Sequence, residues 1–403
     1  MGIAYYSPTT ILPLYVSHLT GANVIVGAVP AVVALCWSLP QLLGARRLSS
    51  LQSGRATASR WGATRKSYIA RTALAGRIPL LMLVLSTALF SVSNPTLALV
   101  LFFVCFGLFR FTGGINTPVY YDLVAAVIDP RARARFIGLS QFLGGAIAAA
   151  ALVAGRAVLD AFPFPGGFVI CFAIGFFFVT SAIGCMAIVR EPPFTRPIDT
   201  PPAPEPHPGG IIRASVQTLR RDGAFRRYLG SRVFVAFASM GQAFFAVHAT
   251  RQLGASDGDV AFFSAILLAA QTGSTLLWGA AADRSGLRPV LLAAVVLGIG
   301  AASLAIAAPT LVVFTIVFAL SGAALGALAV TDPGMPLALA ETAQSNRALY
   351  VAVANTVLAP VYVVAPLVGG AAADAGGYGL TYVIAAGAGG VALALVALRR
   401  EHG

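Results

Sequence analysis

Long apolar runs alternate along this chain with short gaps, and the basic residues fall into every second gap. There are about twelve runs, each near the ~20 residues that an α-helix needs to cross the hydrocarbon core of a membrane. Of the 27 Lys and Arg residues, 24 lie in the even-numbered gaps, the middle of the chain and the tail, two (Arg156 and Arg251) lie in odd-numbered gaps, and one (Arg110) lies inside a run. Lys and Arg accumulate in cytoplasmic loops. The pattern therefore predicts an all-α, multi-pass protein of the cytoplasmic membrane, with twelve transmembrane helices and both termini in the cytoplasm.

The composition excludes several other classes of protein. With 58% hydrophobic and 10% charged residues, the chain is far from a soluble domain. Its net charge of +13 would suggest a nucleic-acid partner in a soluble protein. Here orientation in the membrane and contact with anionic lipid explain the charge, so we predict no nucleic-acid partner. The four cysteines lack metal-ligand spacing, and no phosphate loop or nucleophile motif is present. We expect no enzyme, no cofactor, no metal site and no removable signal peptide.

A proline-rich segment divides the runs into six and six. Eight prolines fall between residues 192 and 208, which excludes a helix there. Residues 211–221 carry apolar side chains on one helical face and predict a short helix on the inner membrane surface, with an unstructured basic tether as the alternative. We therefore predict an N-terminal six-helix bundle at 1–190, a cytoplasmic linker with a surface helix at 191–227, and a C-terminal six-helix bundle at 228–403.

Short matches at a fixed spacing indicate that the two halves are copies. Pro95–Leu97 opens the fourth run, and Pro309–Leu311 opens the tenth run 214 residues later. Arg133–Phe136 and Arg347–Tyr350 match at the same offset. Such repeats are typical of secondary transporters, in which the substrate site lies between the repeats.

The gap after the eighth run reads Gly279-Ala280-Ala281-Ala282-Asp283-Arg284-Ser285-Gly286-Leu287-Arg288. It resembles the cytoplasmic loop motif of the major facilitator superfamily, G-x-x-x-D-R/K-x-G-x-R/K. The copy in the first half is reduced to Ser59-Arg60-Trp61-Gly62, with Ser59 at the Asp position.

The residues of this loop suit a gate. Gly279 permits close helix packing and Gly286 permits a tight turn, while Asp283 can cap a neighbouring helix. Arg284 and Arg288 can hold a carboxylate or a lipid phosphate. We place Asp332 at the end of the tenth run and predict it as their partner. A solvated turn with ordinary cytoplasmic charges is the alternative.

Arg110 lies inside the fourth run, ~22 Å along the helix from the start of the run. It shares a helical face with Gly113, Gly114 and Thr117. The segment resembles the R-x-x-x-G element of the superfamily's fourth helix, a feature associated with its proton-linked members. A charge at this depth normally faces a cavity or a partner. A structural contact with the carbonyl groups of a neighbouring helix is the alternative.

The eleventh run contains Pro366, Gly369 and Gly370, which resemble the superfamily's G-P-x-x-G-G kink with Ala365 for the first glycine. In efflux antiporters of the superfamily this element is expected in the fifth run, which has no proline here. The chain thus carries a similar element in a different run. This resemblance is the one feature that favours export as the direction of transport.

All fourteen acidic residues fall in loops, in the linker or tail, or at predicted helix ends, so the sequence predicts no carboxylate near the middle of the membrane. His18 and His248 are then the titratable candidates near neutral pH. Interfacial histidines without a coupling role are the alternative, and proton coupling stays open.

The resemblance implies two six-helix bundles that move a small solute by alternating access, with runs one, four, seven and ten lining a cavity. The predicted solute contacts and flanking gate residues are Tyr15, Arg110, Thr117, Gln242, His248, Gln141, Gln271 and Asn355. Each uncharged polar residue among them has an interhelical hydrogen bond as its alternative role. Because Arg110 is the fixed charge in the predicted cavity, we expect an anionic or polar solute. We further expect membrane lipids as partners and a monomer. A lipid flippase or lipid-handling protein, or a transport-inactive receptor or assembly factor, are the alternative functions.

Overall fold

The computed structural model describes residues 2–52, 64–191, 220, 222–308, 310–343 and 347–397. The proline-rich segment at 192–208, the first-half loop at 59–62 and the surface helix predicted at 211–221 (apart from residue 220) lie outside the described residues.

The described residues form α-helices and two 3-10 turns, with no strand among them. The helices are α1 (Ile11–Leu19), α2 (Asn23–Ser38), α3 (Gln41–Gln52), α4 (Arg65–Phe90), α5 (Pro95–Val127), α6 (Pro130–Ala161), α7 (Gly166–Ile188), α8 (Gly223–Ala238), α9 (Gln242–Leu253), α10 (Asp257–Ser285), α11 (Leu287–Ala307), α12 (Leu311–Thr342) and α13 (Arg347–Ala397). The 3-10 turns are Gly2–Tyr6 and Ser239–Gly241. Helix α13 is interrupted at Gly376 and Gly377, where Gly377 has a φ of +74°.

Ten segments of the described chain are long and apolar enough to cross a membrane. A helix suits this environment because it satisfies its backbone hydrogen bonds internally. The first predicted run contributes a 3-10 turn and the nine-residue α1. The last segment, Tyr350–Ala397, contains the eleventh and twelfth runs on either side of the break in α13. The predicted all-α membrane fold is confirmed, and the twelve runs account for its helices.

Polar caps mark the points at which helices begin. The side chain of Asn94 accepts a hydrogen bond from the backbone one turn into α5, and Pro95 occupies the first turn. Thr310 caps α12 in the same way, so both copies of the repeated tripeptide mark a helix start. Asp222 caps α8. Helix α8 therefore begins at Gly223, inside the segment that the sequence assigns to the linker.

The chain forms two compact units. The first unit consists of residues 1–21 and 32–201, and the second consists of residues 22–31 and 202–403. Helix α2 thus contributes its first turns to the second unit and its remainder to the first. Within the first unit, α4 packs against α5 and α7; within the second, α10 packs against α12, and α8 against α13.

Each unit has an aromatic core of fully buried side chains. The first core consists of Tyr15, Phe102, Phe106, Phe168 and Phe172, and the second of Phe244, Phe245, Phe314, Phe318 and Tyr382. Burying one such ring contributes roughly 1.5–3 kcal/mol relative to exposure in water. Helices that associate within lipid gain no hydrophobic free energy of this kind, because lipid tails are as apolar as the side chains. Packing and interhelical hydrogen bonds therefore become more important.

Candidate functional site

Arg110 of α5 lies beside Trp37 at the end of α2. Its Cζ atom is 4.4 Å from the centroid of the Trp37 ring. A cation–π contact of this kind contributes about 2 kcal/mol when water is excluded. The Nε atom of Arg110 is buried and has no hydrogen-bond partner among the described residues. The guanidinium therefore rests on an aromatic face, and its Nε–H group can still donate a hydrogen bond to another group.

Glycines bring α2 and α5 close enough for this contact. A Cβ atom on Gly113 would lie 2.8 Å from a ring carbon of Trp37, and one on Gly114 would lie 2.5 Å from the Trp37 carbonyl oxygen. A larger residue at Gly114 would force the α2 backbone to move, and one at Gly113 would force the Trp37 ring to move. The glycine stripe predicted beside Arg110 thus allows Trp37 to approach. The sequence pointed to the stripe but gave no sign that a tryptophan from α2 fills it.

Arg77 of α4 is a second arginine within the apolar helices of the first unit. Its Nη2 atom donates a hydrogen bond of 2.9 Å to the carbonyl of Val179 on α7, and its Cζ atom is 5.8 Å from the Phe109 centroid. Its Nε atom is buried without a partner among the described residues. The sequence count assigned Arg77 to a cytoplasmic gap, with a position reaching into the membrane as the alternative if the third run begins earlier. In the structure it lies twelve residues after the start of α4 at Arg65.

Three other predicted site residues of the first unit have separate environments. Tyr15 is 0% exposed, and its Oη atom is 2.9 Å from Ser91 Oγ, so in this structure it packs in the aromatic core and lines no open surface. The Thr117 hydroxyl donates to the carbonyl of Gly113, one turn earlier in α5. Gln141 is exposed on α6. The structure does not bring these three side chains together.

A charged cluster joins the start of α4 to the ends of α5 and α7. Arg65 Nε is 2.5 Å from Asp122 Oδ2, and the backbone N–H groups of Arg65 and Lys66 donate to the two carboxylate oxygens of Glu191 at 3.0 Å each. Lys66 Nζ donates to the carbonyl of Val189. Glu191 thereby occupies the positive end of the α4 dipole. The sequence analysis missed this cluster because its members are separated by more than fifty residues.

In the second unit, Arg232 of α8 forms an ion pair with Asp332 of α12. Arg232 Nη2 is 2.7 Å from Asp332 Oδ1, and it donates to the hydroxyl of Tyr362 on α13 at 3.0 Å. The sequence predicted a different partner for Asp332, namely Arg284 or Arg288. That prediction is wrong for this structure, because Arg288 instead donates to the carbonyls of Val396 and Ala397 near the end of α13.

The prediction that every acid lies at a helix end or outside the helices is wrong for Asp332, which lies ten residues before the end of α12. Pro333 and Pro336 suggest that the tenth run ends nearby, but α12 continues through both prolines to Thr342. Apolar helices tolerate proline when neighbouring groups satisfy the freed backbone. Arg232 was counted with the cytoplasmic cations, yet it is buried and lies nine residues after the start of α8 at Gly223.

The loop between α10 and α11 has one of its predicted properties. Gly286 has a φ of +84°, which a tight turn at this position requires and which other residues rarely adopt. A Cβ atom on Gly279 would meet no atom within 4 Å, so the prediction that Gly279 permits close helix packing is wrong. Asp283 and Arg284 are exposed. The roles of Asp283 as a helix cap and of Arg284 as an anion-binding residue stay predictions.

The predicted kink residues of α13 contact the first turns of α2 and also α9. A Cβ atom on Gly370 would lie 2.5 Å from Val24 Cα, and one on Gly369 would lie 3.0 Å from the Phe244 ring. On α2, a Cβ atom at Gly27 would lie 2.3 Å from the carbonyl oxygen of Pro366. These glycines therefore allow two helix backbones of the second unit to touch, as small residues do between transmembrane helices.

Asp374, one turn beyond this contact, binds the start of α2. Its Oδ1 atom accepts hydrogen bonds from the backbone N–H (2.7 Å) and the Nδ2 atom (2.9 Å) of Asn23, and its Oδ2 atom accepts from the backbone N–H of Val24 at 2.9 Å. Arg251 and Tyr378 donate to Asn23 Oδ1. This hydrogen-bonded group, from here on the α2 latch, consists of Asn23, Val24, Arg251, Asp374 and Tyr378.

The remaining predicted residues of the second unit are dispersed. His248 is 8% exposed, 3.2 Å from Tyr382 Oη through Nδ1, and stacked on Tyr378, so aromatic rings enclose it. Gln271 is half-buried where α10 meets α12, and Asn355 is exposed on α13.

Gln242 lines a small cavity between α8, α9, α11 and α12. The cavity has about 20 Å³ of space for the centre of a water molecule, which is enough to hold one water. Ser321 also lines it, and the buried Ser321 hydroxyl has no partner among the described residues. A water molecule in the cavity would satisfy this hydroxyl. The position of Gln242 beside the cavity is therefore compatible with a structural role for Gln242.

Comparison with known proteins agrees with this architecture. Residues 229–403 match the sequence model of the Major Facilitator Superfamily. No curated protein matches the chain by sequence.

Several solved structures share the fold over nearly the whole chain. A mutant of the nucleoside transporter NupG has a TM-score of 0.70 at 16% identity and covers 99% of this chain and 96% of its own. The xylose transporter XylE from E. coli, in a partially occluded inward-open conformation, has a TM-score of 0.64 at 16% identity and covers 100% and 96%. A D-xylose-proton symporter has a TM-score of 0.63 at 17% identity and covers 98% and 95%.

Residues 229–403 match the superfamily by sequence, and this match includes the loop at 279–288. Over the whole chain, the solved transporters show a shared fold.

Proposed function

We propose that the chain is a secondary active transporter that moves a small solute across the cytoplasmic membrane by alternating access. The fold supports secondary transport, since NupG, XylE and the D-xylose-proton symporter share it. The observation that carries the proposal is Arg110, a charged residue on an apolar helix whose buried Nε atom has no partner among the described residues. An ionisable side chain at such a position is expensive and normally serves a pathway.

We further propose that the solute is anionic or polar. Arg110 rests on the face of Trp37, which attracts the cation without neutralising its charge. Among the described residues, no ion pair joins Arg110 to a carboxylate. A second cation brought to this guanidinium would face repulsion that low dielectric strengthens, whereas an anion would be attracted.

Flux into proteoliposomes tests both statements. The solute panel should contain carboxylates, phosphate esters, sugars, nucleosides and a permanently cationic dye. We expect Arg110→Ala to abolish flux of an anionic solute and Arg110→Lys to restore it only in part, because the two-pronged geometry of the guanidinium is lost. Arg156→Ala is the matched control, since Arg156 is an arginine of α6 that pairs with Asp160 and whose side chain is 42% exposed.

The outcomes separate this function from its alternatives. Strong flux of the cationic dye that Arg110→Ala leaves unchanged would overturn the anionic-solute proposal. Movement of labelled lipid without movement of any solute would favour a flippase. Absence of both would favour a receptor or assembly factor.

Orientation, direction and assembly complete the proposal. We propose that both termini and the segment at 192–208 face the cytoplasm, because Lys and Arg concentrate in those parts of the chain. We propose export as the direction, on the resemblance of Pro366, Gly369 and Gly370 to the superfamily's kink element. We also propose a monomer with membrane lipids around it. Comparing flux in right-side-out and inverted vesicles tests the direction.

A further inference from the structure

Trp37 lies in the last turn of α2, in the first unit, beside the arginine on which the proposed transport function depends. Helix α2 ends one residue later, at Ser38. The centroid of the Trp37 ring is 4.4 Å from the Cζ atom of Arg110 on α5. Arg110 is roughly 22 Å along α5 from Pro95, at the standard helical rise. The contact between the two side chains therefore lies inside the apolar part of α5.

The position of the Trp37 ring is fixed by α5. A Cβ atom on Gly114 would lie 2.5 Å from the Trp37 carbonyl oxygen, and one on Gly113 would lie 2.8 Å from a carbon of the ring. The segment after Trp37 is held against the same helix, since a Cβ atom on Gly44 of α3 would collide with the carbonyl oxygen of Ile115. The indole therefore cannot leave α5 unless the backbone of α2 moves as well.

The hydrogen-bond donors of Arg110 are unused. Among the described residues, its side chain makes no hydrogen bond and no ion pair. Its Nε atom is buried without a partner, whereas its two Nη atoms are not among the buried atoms that lack one and so reach accessible space. A guanidinium carries five N–H donors, all directed in its own plane. The protein therefore leaves the edge of this guanidinium for another molecule.

Trp37 restrains the cation without consuming its charge or its donors. The indole attracts a guanidinium through its π face and carries no net charge. An arginine side chain otherwise has considerable rotamer freedom, and long cationic side chains of membrane helices extend toward the interface. The ring opposes both tendencies. Arg110 is thus held in one orientation before a solute arrives, which increases affinity because the solute does not have to order the side chain.

The charges around this contact suit a solute with one negative charge. Arg77, the other arginine near the middle of a long apolar helix in the described part of this unit, donates to the Val179 carbonyl and lies over the Phe109 ring. Phe109 and Arg110 are consecutive in α5, so their side chains point about 100° apart. A solute at Arg110 therefore meets one cation. A second negative charge would increase the attraction about twofold but the cost of desolvation about fourfold.

The other polar side chains of α5 near Arg110 are already bonded. The hydroxyl of Thr112 donates to the carbonyl of Phe109, and that of Thr117 donates to the carbonyl of Gly113. The side-chain oxygen of Asn116 accepts a hydrogen bond from a threonine of α4. Recognition of a charge on the solute therefore depends on Arg110.

We propose that Arg110 and Trp37 form a binding site for an organic monoanion of the carboxylate type, in which Arg110 contacts the solute and Trp37 is a positioning residue. The inference rests on the proposed transport function and names the class of solute. The oxyanion lies in the plane of the guanidinium and accepts parallel N–H···O bonds, which is the geometry that the planar fork favours. The Trp37 ring occupies one side of the fork and keeps it in place.

Thermal unfolding of the full chain in detergent tests the class of solute. One probe set is butanoate, butanesulfonate, butyl phosphate and butanamide, and a second set carries the same head groups on a phenyl ring. At about pH 8 the phosphate esters carry close to two negative charges. A bound probe raises the unfolding temperature by an amount that reports its Kd. All probes are compared at equal ionic strength.

We expect the monoanions of at least one set to bind at least about tenfold more tightly than the amide and the phosphate of that set, because only they match a single fixed cation. Three results would contradict this: equal affinity for acid and amide, tighter binding of the phosphate, or no binding of any monoanion.

The fluorescence of Trp37 locates the bound probe. The chain has three tryptophans, and Trp61→Phe together with Trp278→Phe leaves Trp37 as the sole emitter. A monoanion that stabilises the chain should change the emission of Trp37, and the amide should not. Stabilisation by a monoanion with unchanged emission would show that the probe binds elsewhere, and the proposed site would be wrong.

Two substitutions of Trp37 separate positioning from packing. Trp37→Leu keeps an apolar side chain but removes the π face, so it should weaken monoanion binding about tenfold and leave amide binding within about twofold. Trp37→Phe keeps an aromatic face and should restore most of the preference for the monoanion. An equal loss for acid and amide would show a merely structural role. Trp278→Phe is the matched control, since this indole of α10 donates to the Ala323 carbonyl in the second unit and should not affect the preference.

A further variant covers the case in which Trp37→Leu does not fold. Arg110→Gln keeps a polar side chain without the charge, so acid and amide should then bind alike; an undiminished preference for the acid would rule out this site. Failure of transport is distinguishable. Monoanions that change Trp37 emission but do not enter proteoliposomes overturn the transport proposal alone. Solute flux that depends neither on Trp37 nor on the charge of the solute overturns the proposed site alone.

Discussion

The α2 latch offers a sharp test, because one carboxylate binds the first two backbone N–H groups of α2. Asp374 accepts three hydrogen bonds, two from Asn23 and one from Val24. A hydrogen bond to a charged group contributes roughly 1.5–3 kcal/mol. The Val24 bond is exposed and the three are not additive, so we take about 1–3 kcal/mol for the whole contact, including the helix dipole.

Hydrogen exchange measured by mass spectrometry on the full chain in detergent reports this free energy. Loss of about 1–3 kcal/mol corresponds to about 5- to 150-fold faster opening. We expect Asp374→Ala to accelerate exchange in peptides that cover residues 23–31 by a factor in this range. Asp374→Asn should have a smaller effect, because its one carbonyl oxygen still accepts from Asn23. Asp160→Ala, which removes an exposed acid from α6, is the control and should change nothing in this segment.

If Asp374→Ala and Asp160→Ala exchange alike at residues 23–31, the carboxylate does not hold the start of α2. The close packing of Gly27 on Pro366, and of Gly370 on Val24, would then be sufficient. Gly370→Leu would test that second explanation, since the leucine Cβ would lie 2.5 Å from Val24 Cα.

Three further predictions concern the loops and the orientation of the chain. Asp283→Asn should express normally but slow the transport cycle, because it removes a charge–dipole contact of ~0.3–1 kcal/mol; unchanged flux and unchanged accessibility of the two sides would contradict its gate role. Gly286→Ala should lower the free energy of unfolding by roughly 1–2 kcal/mol, because φ at this position is +84°. Gly279→Ala should leave it unchanged, because the added Cβ would meet no atom within 4 Å. Cysteines placed at 192–208 or at Arg399 should resist an impermeant thiol reagent added to intact cells, and efficient labelling of either position would reverse the proposed orientation.

The sequence predicts the helices of this protein well, because their signals are local. An apolar run long enough to cross a membrane is visible in the sequence, as are the helix start at Pro95 and the turn at Gly286. The start of α8 was the main local error, and it followed from reading the basic residues before Arg232 as one cytoplasmic block. Asp222, a capping residue six positions before the predicted second bundle, was the signal that could have located it.

The contacts of the candidate site could not be predicted in the same way. Arg232 and Asp332 are 100 residues apart, and Asn23 and Asp374 are 351 residues apart. Hydropathy patterns carry no information about which helices become neighbours. The depth of Asp332 was also misjudged, because Pro333 and Pro336 predict an end that neighbouring helices override. A single sequence therefore located the charged residues but paired them incorrectly.

The two units differ in how they hold the arginines that lie well inside their apolar helices. In the first unit, Arg77 and Arg110 rest on aromatic rings and keep donors without partners among the described residues. An aromatic face carries no net charge, so it holds these cations without neutralising them. In the second unit, Arg232 forms an ion pair with Asp332. A cation without a carboxylate partner attracts an anion more strongly than one already paired, which agrees with the proposed role of Arg110 in binding an anionic solute.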